Sequence, residues 1–180
     1  FRAAVAWASE NPWGSGLRQL FPKITSFYRP QECVFTTGQE RILQECGVYG
    51  LVLYYALVPF NTLGVFTPAL PLERRYNPFW FRSREDQPQL IVFPAMSAAD
   101  VLEKGSLEVM MLDLHARQQR GEINTDVVIH LNEDADLESW LPLDLPKSMR
   151  WMPNAGGLQE YIDVVNKYEW ADFTVPGEYL

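Results

Sequence analysis

Apolar residues in this chain gather in short blocks separated by helix-start and turn signals. Ile24-Thr25-Ser26-Phe27-Tyr28 is a β-prone run closed by Pro30. Val48 to Leu57 is nearly continuous apolar sequence, the pattern of a strand covered on both faces, and Gln89-Leu90-Ile91-Val92-Phe93 repeats it. Residues 126–131 form a run of β-branched positions, and Ala171-Asp172-Phe173-Thr174-Val175 a last short one. Helical patterns lie between them. Thr37-Gly38-Gln39-Glu40 spells a capping box before a helix with Ile42, Leu43 and Cys46 on one face, ending at Gly47. Ser97 and Asp100 open a second helical stretch. Gly105 is a poor interior residue, so a restart at Ser106 is expected, with an end at Gly121. Asn154 is the expected cap of a helix with Leu158, Tyr161, Ile162 and Val165 at i, i+3, i+4 and i+7. Asn61 to Gln89 reads as one long connection with four prolines. About five alternations of strand and helix predict an α/β fold, with these strands parallel in one sheet and joined by right-handed crossovers. Periodicity does not separate an open sheet from a barrel.

Composition narrows the classes. The chain has 180 residues, 47% hydrophobic and 13% aromatic, enough apolar material for one core and too much for disorder. A net charge of −8 argues against a nucleic-acid partner, which needs a basic face. The longest apolar run, Val48 to Phe60, is broken by Gly50, two tyrosines and Pro59, so no membrane span is expected. Cys33 and Cys46 are too few for a disulfide framework. Phe1 to Glu10 lacks the pattern of a signal peptide, and the cytoplasm is the expected compartment. There is no initiator Met, and Glu178 and Tyr179 look like the first turn of a helix without a body. Residues 1–180 therefore read as one partial domain, truncated at both ends.

Candidate chemistry centres on carboxylates. In parallel α/β folds the active site lies at the C-terminal ends of the strands. Glu32 follows the first predicted strand, and Asp134 follows the 126–131 strand within Asn132-Glu133-Asp134-Ala135-Asp136. Two strands lie between them, so in a closed barrel they face each other across the mouth. One carboxylate as nucleophile and a second as proton donor is the layout of glycoside hydrolysis. Helix caps and solvated loop residues are the plainer alternative for acids in these positions.

The neighbours of these acids resemble a known family. Pro30-Gln31-Glu32-Cys33, then a helix ending in Gln44-Glu45-Cys46-Gly47-Val48 and an apolar strand, resembles the nucleophile segment of glycoside hydrolase family 57. Glu133-Asp134-Ala135-Asp136 with Trp140-Leu141-Pro142 resembles that family's acid segment. Gly157-Leu158, Tyr161 and Gly177-Glu178-Tyr179-Leu180 resemble the elements that come after it. The resemblance spans roughly residues 25–180, in order. It implies a parallel (β/α)7-type incomplete barrel, α-glucan-type oligo- or polysaccharide substrates, and retaining hydrolysis or glucanotransfer. The implied nucleophile is Glu32 and the implied acid/base is Asp134. Asp136 stands where the family usually has Glu, and Glu138-Ser139 where Phe-Gly is common; the family's His-Gln-Pro segment is absent.

Other residues carry lesser roles. His130, four residues before Asp134, is placed either to touch a sugar hydroxyl or to serve as a hydrogen-bonded core histidine. Trp140 and Trp151, in proline-rich connections beside the acid loop, are candidate sugar-stacking rings, and Asp136 a further substrate contact. His115 reads as a surface helix residue and Cys33 as packing. The two histidines form no ligand-spaced pair, so no metal and no other cofactor is expected. Two alternatives stand beside the main reading. One is a family 38 type α-mannosidase-like hydrolase, which shares the broader architecture but binds zinc. The other is a non-catalytic glycan-binding barrel. Linkage, hydrolysis against transglycosylation, and oligomeric state are left open by the sequence.

Overall fold

The computed structural model describes residues 2–21, 26–30, 35–54, 71–132, 146–149 and 156–179. In chain order these form α1 (Arg2–Ser9), α2 (Leu17–Leu20), β1 (Phe27–Tyr28), α3 (Glu40–Glu45) and β2 (Gly50–Tyr54). Then come α4 (Leu72–Arg75), β3 (Phe79–Phe81), β4 (Leu90–Ala95), α5 (Ala98–Glu103) and α6 (Leu107–Gln119). A 3-10 turn (Lys147–Met149), α7 (Leu158–Asn166) and α8 (Pro176–Tyr179) complete the set. None of the described helices is long and apolar enough to cross a membrane.

The protein is a mixed α/β structure around a four-stranded, mostly parallel sheet of order β1-β2-β4-β3. β1 pairs parallel with β2, and β2 parallel with β4 over five residues, Gly50 opposite Ile91 through Tyr54 opposite Ala95. All five residues of β2 are buried, as its unbroken apolar sequence requires. Alternation divides them. Leu51 and Leu53 pack with Leu90, Val92 and Leu43 of α3. Val52 and Tyr54 turn the other way, to Phe93 and Ala95. Gly50 makes room on that second face: a Cβ there would lie 2.1 Å from the Phe27 ring, which meets Phe93 edge-on at 4.9 Å.

Helices α3 to α7 gather on one side. Met96 continues the alternation of Leu90 and Val92, and it packs with Val101, Leu107, Met110, Met111, Leu114 and Tyr161 from α5, α6 and α7. α3 and the α5–α7 group thus cover the same face. Among the described residues, α8 alone reaches the opposite face, through Tyr179. The parallel strands also step in one direction, from β1 to β2 to β4 and on to Leu131, which bridges Met96 in parallel. Right-handed crossovers that keep one direction put their helices on one face; a doubly wound sheet reverses at a switch point and covers both.

Local signals hold at several helix ends. Ser97 accepts from the Asp100 backbone N–H while Asp100 bonds back to Ser97, a full capping box, and Ser106 caps α6 after Gly105 at φ 100°. The predicted box before α3 forms differently. Glu40 is fully buried and turns its carboxylate to the Gly38 and Ser83 backbone N–H groups, at 2.9 and 2.7 Å. Burial pushes this carboxyl up, but the bonds from Ser83 and Gly38 outweigh it and hold it below its usual range. The residue preceding α7 is Gly157 at φ 64°, in place of the expected Asn154, which lies outside the described residues.

Three expectations need correction. The stretch from Asn61 to Gln89 is more than a connection, for it contains α4 and β3, and β3 pairs antiparallel with β4. Residues 126–131 form a single bridge, Leu131 to Met96, in place of the full strand that their β-branched run predicts. The reason is occupancy: β3 takes the β4 edge at Leu90, Ile91 and Val92, so the later segment reaches β4 only beyond it. On the way, the Val128 N–H donates to the Tyr76 carbonyl at 2.7 Å. Residues 171–175 form no strand either. Phe173 and Val175 are exposed, and no described sheet edge receives them.

Candidate functional site

The C-terminal ends of the parallel strands carry the candidate chemistry. Glu32, Asp134, Asp136, Trp140 and Trp151 lie outside the described residues. Arg29, His130 and Asn132, from the strand ends leading to those acids, are described. Met96 fixes the backbone there: its N–H donates to the His130 carbonyl at 2.9 Å and its carbonyl accepts from Asn132 at 2.8 Å. Val127, Ile129 and Leu131 pack on the helix cluster, so His130 faces the opposite side with Phe93 and Ala95.

His130 is half-buried, and its Nδ1, which is cut off from solvent, finds no hydrogen-bond partner among the described residues. Burial holds the imidazole below its ordinary pKa, so it is neutral at neutral pH. A neutral ring has one nitrogen that donates and one that accepts. An unmet buried polar atom costs about 1–3 kcal/mol, which a ligand hydroxyl would relieve.

Arg29 lies just past β1, and its Nε donates to Asn132 Oδ1 at 2.6 Å across 103 positions of sequence. In strand order β2 and β4 lie between them. Three strand spacings of a flat sheet come to about 14 Å. An extended arginine places Nε about 5 Å from Cα, and an asparagine places Oδ1 about 3.5 Å away, so the two Cα atoms are within about 11 Å. Arg29 and Asn132 therefore lie closer together than the edges of a flat sheet of this order would place them.

A sizeable cavity lies elsewhere. It has a volume of about 860 Å³ and is lined by Asn77, Gln118, Asn124, Thr125, Asp126 and Tyr179, beside Ile91 in the first half of β4. Much of its polar lining is already paired. Asn77 Nδ2 donates to Thr125 Oγ1 at 2.9 Å, Tyr179 Oη to Asn77 Oδ1 at 3.1 Å, and Gln118 Nε2 to the Thr125 carbonyl at 2.8 Å. A second hollow, about 530 Å³, lies between α6 and α7 beside Glu108, Glu160, Asp163 and Lys167. There Glu108 accepts from both Lys167 and the Tyr168 hydroxyl, which hold its carboxyl below the usual range.

Among the described residues, no three His, Cys, Asp or Glu side chains converge to hold a metal ion. His115 is stacked on Trp170 at 4.1 Å on the outer surface of α6. By sequence, Arg29 is only a charge near Glu32, and Asn132 only the start of an acidic run. Their position immediately after β1 and after the Leu131 bridge is the signal that joins them. No family model, no curated protein and no solved structure matches the chain.

Proposed function

We propose that this chain is part of a retaining glycoside hydrolase or glucanotransferase, built on an incomplete (β/α)7 barrel and acting on α-glucan-type polysaccharide. The observation that supports this most is the Arg29–Asn132 bond, which draws together the strand ends that lead to Glu32 and Asp134. The one-directional strand order with α3 to α7 on one face agrees with a barrel wall.

In this reading the Glu32 carboxylate attacks the anomeric carbon while Asp134 passes its proton to the departing glycosidic oxygen. Asp134, now a carboxylate, then deprotonates a water or a sugar hydroxyl that displaces Glu32. Water gives hydrolysis and a sugar acceptor gives transfer. Neutral His130 accepts from or donates to a substrate hydroxyl, with Asp136, Trp140 and Trp151 as further sugar contacts. No cofactor takes part.

The test uses full-length protein and maltooligosaccharides, with the first-formed anomer read by proton NMR. Retention of configuration is expected. Inversion or transfer to water without a covalent intermediate overturns the roles of the two acids. Binding without turnover favours a non-catalytic glycan-binding barrel. Activity that is lost with EDTA and restored by zinc points to the family 38 type.

A further inference from the structure

We infer that Arg29 and Asn132 are positioning residues that clamp the C-terminal ends of the first and last parallel segments across the mouth of the sheet. β1 contributes only Phe27 and Tyr28 to the sheet, and Arg29 follows directly after them. Asn132, by contrast, is anchored through its backbone to Met96. The 2.6 Å bond from Arg29 Nε to Asn132 Oδ1 passes that anchorage to the end of β1. A guanidinium donor makes it stronger than a bond between neutral groups. Residues 31–34 and 133–145 leave from the two clamped points, so the bond sets where both segments start. The kinetic consequence rests on the retaining reading, because two carboxylates about 5–5.5 Å apart tolerate little drift. The clamp itself does not rest on it.

The experiment compares full-length wild type with Asn132→Ala, Asn132→Asp, Arg29→Ala and the double alanine variant. Hydrogen exchange is followed in peptides covering 29–35 and 130–146, and steady-state kinetics on amylose at each variant's pH optimum. Asn132→Ala is expected to speed exchange in both peptides, although one is distant in sequence, and the double variant to add nothing further. Its kcat should fall about tenfold with KM within about twofold, the mark of misplacement rather than lost binding. Asn132→Asp keeps the acceptor and should recover most of both. Faster exchange in 130–146 alone overturns the clamp. Coupled exchange with unchanged kcat overturns the positioning role. Coupled exchange in a protein that never turns over glucan leaves the clamp standing and removes the enzymatic reading.

Discussion

The two ends of the parallel strands are built on different terms. Beside the N-terminal half of β4 lies a cavity of about 860 Å³, yet Asn77, Thr125, Gln118 and Tyr179 satisfy one another around it. At the C-terminal end a buried His130 nitrogen has no partner among the described residues, and a charged side chain reaches across the sheet. Volume alone is a poor guide to chemistry. Unmet hydrogen-bonding capacity in a buried place is a better one, because the fold bears its cost unless a ligand relieves it.

The sharpest way to break this contrast is at the acids. Glu32→Gln in full-length protein should lower turnover by at least about 1,000-fold. Asp134→Asn should cost most with poor leaving groups, and azide should rescue the two variants differently. Rates that survive both changes would falsify the assignment of chemistry to this end.

Gly50→Val is the next largest. The new side chain meets the Phe27 ring and drives it from Phe93, at a cost of about 1–3 kcal/mol by urea unfolding. Because Arg29 directly follows β1, turnover should fall as well; an unchanged unfolding midpoint would show that β1 adjusts freely.

His130→Leu separates binding from stability. It removes an unmet polar atom, so Tm should hold or rise by up to about 4 °C. Loss of one substrate hydrogen bond should meanwhile raise KM about tenfold. A large drop in Tm would instead make His130 a structural residue.

The pH dependence of stability has its origin in the same burial. The folded imidazole binds a proton less readily than the unfolded one, whose pKa is about 6.5. This contribution is therefore complete above about pH 6.5 and is lost as pH falls toward the lower folded value. Its slope is at most about 1.4 kcal/mol per pH unit. Subtracting the His130→Leu profile from wild type should isolate it. Glu40, also depressed, acts only at more acid pH. The smallest effect is expected at the cavity end. Thr125→Val removes the partner of Asn77 Nδ2, should cost about 0.5–1 kcal/mol, and should leave turnover within about twofold.

Residue order alone reveals the structure that short-range chemistry closes. Ser97 and Ser106 cap helices because their hydroxyls reach N–H groups three residues on, and Gly105 and Gly121 interrupt them at positive φ. The buried strands at 50–54 and 90–95 arise from apolar runs that have nowhere else to go. The β3 strand was hidden because Phe79-Trp80-Phe81 is three residues among prolines and charges. With β3 came the fate of 126–131, since a sheet edge accepts one partner at a time and β3 had taken this one. The meeting of Arg29 with Asn132 was likewise beyond any local pattern. It depends on where β2 and β4 place the chain on either side of them, a property of their packing and of no single segment.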